Sequence, residues 1–176
     1  MQQLDEVIAT ATSKIGYEYF LLPIDGGDPI YRERVYCYEL YHQMRLIWPK
    51  SSDYSLNGEV DKSGHPTLKA KIGGIKPDLL VHQPGSMEGN YAALEVKPKN
   101  PQCEDIKKDL QSLSSLLREA GYRRGIYLIY GSDSESLIAR IAEIAAENGV
   151  LEPLEVWFHP DAGSAARRVA TIKTQR

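Results

Sequence analysis

Three residues of this chain carry groups that could do chemistry together: Asp78, directly after Pro77, and Glu95 and Lys97, two positions apart. They sit in two apolar stretches, Ile-Lys-Pro-Asp-Leu-Leu-Val at 75–81 and Tyr-Ala-Ala-Leu-Glu-Val-Lys-Pro at 91–98. Turn residues separate the two (Gln-Pro-Gly-Ser at 83–86, then Gly89 and Asn90), so they read as neighbouring strands of a hairpin. Side chains alternate across a strand, which puts Glu95 and Lys97 on the same side. Charge gathered on a sheet is costly unless compensated, and carboxylate oxygens are compensated naturally by a divalent cation. Each residue also has an ordinary explanation: Pro-Asp is common in turns, and Lys97 can simply neutralise Glu95 as an ion pair. The coincidence of all three on paired strands favours chemistry.

A second set lies upstream. A helix is expected over 31–48, stopped by Pro49. Positions 35, 38, 39, 42 and 46 share one of its faces, placing Glu39 and His42 among Val35, Tyr38 and Leu46. A competing apolar stripe runs through Tyr36, Leu40, Met44 and Ile47. Basic residues gather near the same predicted edge, at Arg34, Lys69, Lys71, Lys76 and Lys99. They suit either phosphate contacts or ordinary surface charge. No phosphate-binding glycine loop, dinucleotide fingerprint or paired-cysteine zinc motif competes with these groups.

The elements that must position them can be read from periodicity. Leu4, Val7, Ile8, Ala11 and Ile15 predict an amphipathic first helix, followed by an aromatic run at 17–22 and a turn-rich segment at 25–29. Short, exposed strands are expected at 54–59 and 67–72, around a polar turn at 61–64. After the hairpin, a helix over 103–120 carries Ile106, Leu110, Leu113, Leu116 and Leu117 on one face and ends at Gly121. Glu104, Asp105, Lys107 and Lys108 read as its solvated side. A buried strand at 125–130, a helix at 135–148 and strands at 154–158 and 168–172 complete the chain. A meander followed by helical crossovers implies an α/β fold with a mixed sheet and helices on its faces.

With 176 residues, the chain suits a single domain spanning 1–176. A net charge of −3 argues against a protein that coats nucleic acid through bulk charge, although acidic metal ligands inflate that figure in the metal-free chain. No apolar run reaches the length of a membrane span, so no membrane partner is expected. The first residues lack the basic and apolar regions of a signal peptide, and two cysteines do not make a disulfide scaffold. A cytoplasmic location is the expectation.

The spacing Pro77-Asp78 followed by Glu95-Val96-Lys97 resembles the PD-(D/E)xK nuclease superfamily, which includes restriction endonucleases, Holliday-junction resolvases and DNA-repair nucleases. The resemblance implies a restriction endonuclease-like, three-layer α/β/α fold with an αβββαβ core at about 31–130, an N-terminal helical addition and a C-terminal helix and strand addition. It implies Mg²⁺- or Mn²⁺-dependent hydrolysis of phosphodiesters, with DNA the expected substrate. Asp78 and Glu95 would hold the metal, with the Val96 carbonyl as a further ligand, and Lys97 would sit beside the attacking water and the phosphate. Many members carry a glutamate on the helix before the meander, a role that falls to Glu39 here. His42 would orient a carboxylate or touch substrate, and Gln111 would turn a polar group toward the site. A homodimer would suit cleavage of both strands of a duplex. A second reading keeps the fold as a non-catalytic or partner-dependent subunit of a DNA-processing or defence complex, since no separate readout module is visible.

Overall fold

The computed structural model describes residues 3–60, 72 and 74–173. Two short elements follow the opening helix α1 (Leu4–Thr12): a single turn, α2 (Tyr17–Phe20), and a small hairpin of β1 (Leu22–Ile24) and β2 (Gly27–Ile30). The turn-rich stretch at 25–29 is thus the tip and return strand of that hairpin. Next come α3 (Glu33–Leu46), β3 (Ser55–Gly58), β4 (Leu79–His82) and β5 (Asn90–Pro98). The chain continues with α4 (Cys103–Ala120), β6 (Arg124–Tyr130), α5 (Glu135–Glu147), β7 (Leu154–His159) and β8 (Arg167–Ile172).

Among the described residues, β3 to β8 form one six-stranded mixed sheet in chain order. The β3–β4, β4–β5 and β7–β8 pairs are antiparallel, whereas β5–β6 and β6–β7 are parallel. The two parallel pairs are those bridged by α4 and α5, because parallel neighbours need a crossover. β3 pairs directly with β4; the expected strand at 67–72 and turn at 61–64 lie outside the described residues except for Ile72, which is buried against the α4–α5 side.

Helices cover both faces of the sheet. On one side Leu4, Ile8, Tyr36, Leu40 and Met44 of α1 and α3 pack on Leu79, Val81, Leu94, Val96, Ile126 and Leu128. On the other, Ile106, Leu110, Leu113 and Leu117 of α4 and Ile141 and Ile144 of α5 pack on Leu80, Ala93, Tyr127 and Ile129. From Gly125 to Tyr130, β6 is buried without a charged residue because both its faces are covered. α4 stops at Gly121, whose φ of 70° is the left-handed conformation that glycine adopts without a Cβ clash, and its N–H returns to the Leu116 carbonyl. No helix among the described residues is long and apolar enough to cross a membrane.

Candidate active site

The alternation of β5 decides what reaches which layer. Leu94 and Val96 belong to the α1–α3 core and Ala93 to the α4–α5 core, so Glu95 and Lys97 emerge on the α4 side. In β4, Leu79 and Leu80 divide the same way, which sends Asp78 to the same face as Leu80 and Glu95. The register pairs Leu79 with Leu94, and one step further sets Asp78 beside Glu95 and Pro77 beside Val96. Asp78, Glu95 and Lys97 therefore meet in one cleft of about 610 Å³, closed by α4 on one side and by the start of α3 at its end.

Pro77 explains the local geometry. It has no N–H and cannot continue the ladder. The Val96 N–H donates to the side chain of the next residue, Asp78 Oδ2, at 2.7 Å. In a strand the N–H and C=O of one residue point the same way, so the Val96 carbonyl faces Pro77, which offers it no donor. That carbonyl is a candidate ligand beside Asp78 and Glu95.

Two further acidic residues enter the cleft. Glu33, the first residue of α3, accepts a hydrogen bond from Lys97 Nζ through Oε2 at 2.8 Å. Asp109 of α4 is 5% exposed and lies 3.6 Å from the same ammonium. At that distance the contact is electrostatic, and Asp109 Oδ2 is buried without a hydrogen-bond partner among the described residues. Four carboxylates, from Glu33, Asp78, Glu95 and Asp109, thus surround one ammonium.

Burial and the excess of negative charge mark the titration of Asp78, Glu95 and Asp109. Burial, with Glu33 adding to it against the Val96 N–H and Lys97, pushes Asp78 up to about 6. Burial raises Glu95 well above the usual carboxylate range, and Asp78 and Asp109 push the same way. Asp109 is pushed up to about 7, again chiefly by burial, with Lys97 opposing. Burial alone would lower Lys97, but the hydrogen bond it donates to Glu33 and the neighbouring charges of Asp109 and Asp78 hold it above the ordinary lysine value. Lys97 is therefore a fixed cation, unsuited to accept a proton near neutral pH.

The donors fit a hard divalent cation in kind: carboxylate oxygens whose mutual repulsion a 2+ ion would relieve, the Val96 carbonyl that faces Pro77, and an open side for water. The geometry is looser than a closed cage. Among the described residues, no group of three or more His, Cys, Asp or Glu side chains is placed to close around a metal ion. The arrangement suits a cation held by Asp78 and Glu95 that keeps several waters, as Mg²⁺ does.

The other expected residues divide. Gln111 lines the cleft, as do Arg34 and Lys76 at its rim. Both rim cations are engaged by Glu59: Lys76 by a close hydrogen-bonded pair, Arg34 at 3.6 Å. Lys99 instead lies over the Tyr31 ring, 5.0 Å from its centroid. Lys69 and Lys71 lie outside the described residues. Glu39 is not brought to the cleft; it is half-buried and accepts a hydrogen bond from Gln43 at 2.6 Å, one turn along α3. His42 is exposed, and Tyr38 and Leu46 on the same stripe are 60% and 66% exposed. The correction has a plain cause. Of the two competing stripes, Tyr36, Leu40 and Met44 is the one that packs on the sheet, which turns Glu39 and His42 outward.

Glu33 and Asp109 were not singled out from sequence, yet Asp109 carried a signal. It falls three residues after Ile106 and four before Leu113, on the apolar stripe of α4 rather than its charged side. Glu33 stands two residues past the start expected for the helix, where only the fold places it beside Lys97.

Comparison of the chain with protein-family models, with curated proteins and with solved structures gives no match.

Proposed function

We propose that this chain is a divalent-cation-dependent phosphodiesterase acting on nucleic acid, with DNA as the preferred substrate, built on a restriction endonuclease-like fold. The observation that carries this reading is the projection of Asp78, Glu95 and Lys97 from paired strands into one cleft. The order of the described elements from α3 to β6, αβββαβ, supports it.

Asp78 and Glu95 would hold Mg²⁺ or Mn²⁺, with the Val96 carbonyl beside them. Bound there, the ion supplies Lewis-acid polarisation of the phosphate and an acidified water. The chain's own residues do the rest. Lys97, kept protonated by Glu33 and Asp109, presents a fixed positive charge to the phosphate as negative charge grows on its oxygens. Asp78 is oriented by the Val96 N–H, so its second oxygen is presented in a set direction. Gln111 offers an amide to the substrate from the α4 wall.

One observation favours a partner-dependent form of the same activity. Arg34 and Lys76, two of the basic residues that line the cleft, are both engaged by Glu59, which among the described residues leaves less positive surface for a phosphate backbone. A second chain, another copy or a nucleic-acid-binding subunit, would supply it.

The test is a cleavage assay on single-stranded and duplex DNA with Mg²⁺ or Mn²⁺, with EDTA and Lys97→Ala as controls. Metal-dependent cleavage lost in Lys97→Ala is expected. Cleavage that survives this substitution, or that ignores EDTA, overturns the reading. Cleavage seen only after a partner is added selects the partner-dependent form.

A further inference from the structure

A second cavity, of about 410 Å³, lies between α3, the edge strand β3 and the start of β4. It shares Asp78 and Glu59 with the cleft above, so the two are separated by a single wall. Its character is different. Tyr38, 60% exposed, and the half-buried Tyr41 line it from α3, and the buried Cys37 and Leu79 give it an apolar floor.

The backbone of β3 adds polar groups beside it. The Glu59 N–H donates to the Asp78 carbonyl at 3.0 Å, so Glu59 turns its N–H toward β4. By the alternation of an antiparallel ladder, its neighbour Gly58 turns its own N–H and C=O the other way, to the outer edge of β3, where no other described strand pairs. Tyr41 reaches both edge and face: its hydroxyl donates to the Leu56 carbonyl on that edge at 3.5 Å, and a Cβ built on the face of Gly58 would stand 4.0 Å from its ring. The cavity therefore combines exposed aromatic surface, an apolar floor and an adjacent donor and acceptor on one strand edge.

Those features match a planar nitrogen heterocycle, whose faces stack on tyrosine and whose edge pairs with a peptide group. We infer that this cavity receives an unstacked nucleobase of the substrate strand, from a nucleotide next to the phosphate that is cleaved. The inference rests on the phosphodiesterase reading for that neighbouring phosphate. It adds a substrate class, because a base in an intact duplex must leave its stack to enter, whereas a single strand, an end or a mismatch presents it at little cost.

The experiment measures two things on the intact chain and on Tyr38→Ala, a change at an exposed position that the core does not use. One is binding of deoxynucleoside monophosphates, followed by NMR shift titration. The other is kcat/KM with Mg²⁺ on a single-stranded oligonucleotide and on the same strand with an abasic position on either side of the scissile bond. The expected result is that Tyr38→Ala weakens monophosphate binding and lowers kcat/KM on the intact strand by roughly 5- to 100-fold. On one of the abasic strands the wild type and the variant should cut at equal rates. Equal effects of Tyr38→Ala on intact and both abasic strands, or no effect on any, overturn the base pocket while leaving the nuclease reading standing. Tyr38-dependent monophosphate binding without any cleavage does the reverse. Neither binding nor cleavage overturns both.

Discussion

Glu33 and Lys97, 64 residues apart in sequence, are joined by a 2.8 Å hydrogen bond that ties the first residue of α3 to the end of β5. The pair does more than neutralise charge. It fixes the lysine ammonium within the cleft, and Asp109 approaches the same group from α4. Glu33 is 37% exposed on its side chain and Lys97 17%, so the bond is partly screened and is read better as positioning than as a large contribution to stability. Lys97→Met takes the cation from the buried Asp109, so it should lower the thermal unfolding midpoint, and it should reduce metal-dependent cleavage by about 10²–10³-fold, the usual consequence of removing one preorganised charge from a transition state. Glu33→Gln should cost less activity, because the amide still accepts from Lys97. Steady-state kinetics on both variants check the order.

Metal binding should be separable from folding at Asp78. Asp78→Asn keeps an oxygen that can accept the Val96 N–H, so β4 and β5 should stay paired while the negative charge is lost. We expect the wild type to gain thermal stability on adding millimolar Mn²⁺ or Mg²⁺, and Asp78→Asn and Glu95→Gln each to lose most of that gain. Differential scanning fluorimetry with and without EDTA measures it. An equal gain in all three proteins would place the ion elsewhere.

Much of this site was legible in sequence because its strands are punctuated so sharply. Pro77 sets where β4 can begin, the turn at 83–89 sets the hairpin, and two-residue periodicity then places Glu95 and Lys97 together. α3 was harder. Its two stripes are offset by about one residue, about 100° of helix rotation, and each carries aromatic and aliphatic groups. Only packing on Leu79, Leu94 and Leu128 decides between them. Glu33 was invisible for another reason: its proximity to Lys97 depends on how α3 enters the sheet, which no local pattern encodes.

The choice of stripe yields a sharp expectation. Glu39→Gln and His42→Ala alter groups that face away from the cleft, and both should retain cleavage within about twofold of wild type and stability within about 0.5 kcal/mol. A loss of metal affinity in Glu39→Gln would mean that α3 presents its other face to the site.

Asp109 sets a pH dependence whose sign can be worked out. Its carboxyl is pushed up to about 7 in the folded chain, from an ordinary value near 4. Between those values the native state holds more protons than the unfolded state, so this group makes stability fall as pH rises across that window. Asp109→Asn removes the effect. Without metal, the variant should therefore gain on wild type as pH rises from 5 to 8, by on the order of 2 kcal/mol. Urea unfolding of both proteins at the two pH values, with EDTA present, checks it. A constant difference would mean that Asp109 is ionised at both.

The aromatic cluster behind α3 supports the same helix that carries Glu33. Tyr36 and His159 share a buried hydrogen bond of 2.7 Å, and Tyr36 stacks on Tyr130 with ring centroids 3.9 Å apart. Burial keeps the imidazole neutral, its pKa pushed down to about 4, so it needs no counter-charge. Tyr36→Phe preserves the ring and its stacking but leaves His159 Nδ1 buried and unpaired. That should cost about 1–3 kcal/mol in urea unfolding at neutral pH. Because Tyr36 lies one turn from Glu33, relaxation at this point should also loosen the hold on Lys97, and a fall in kcat with little change in KM is expected. The double variant Tyr36→Phe with Lys97→Met should show no further loss of kcat beyond Lys97→Met alone, since the hydroxyl acts on the reaction only through the ammonium.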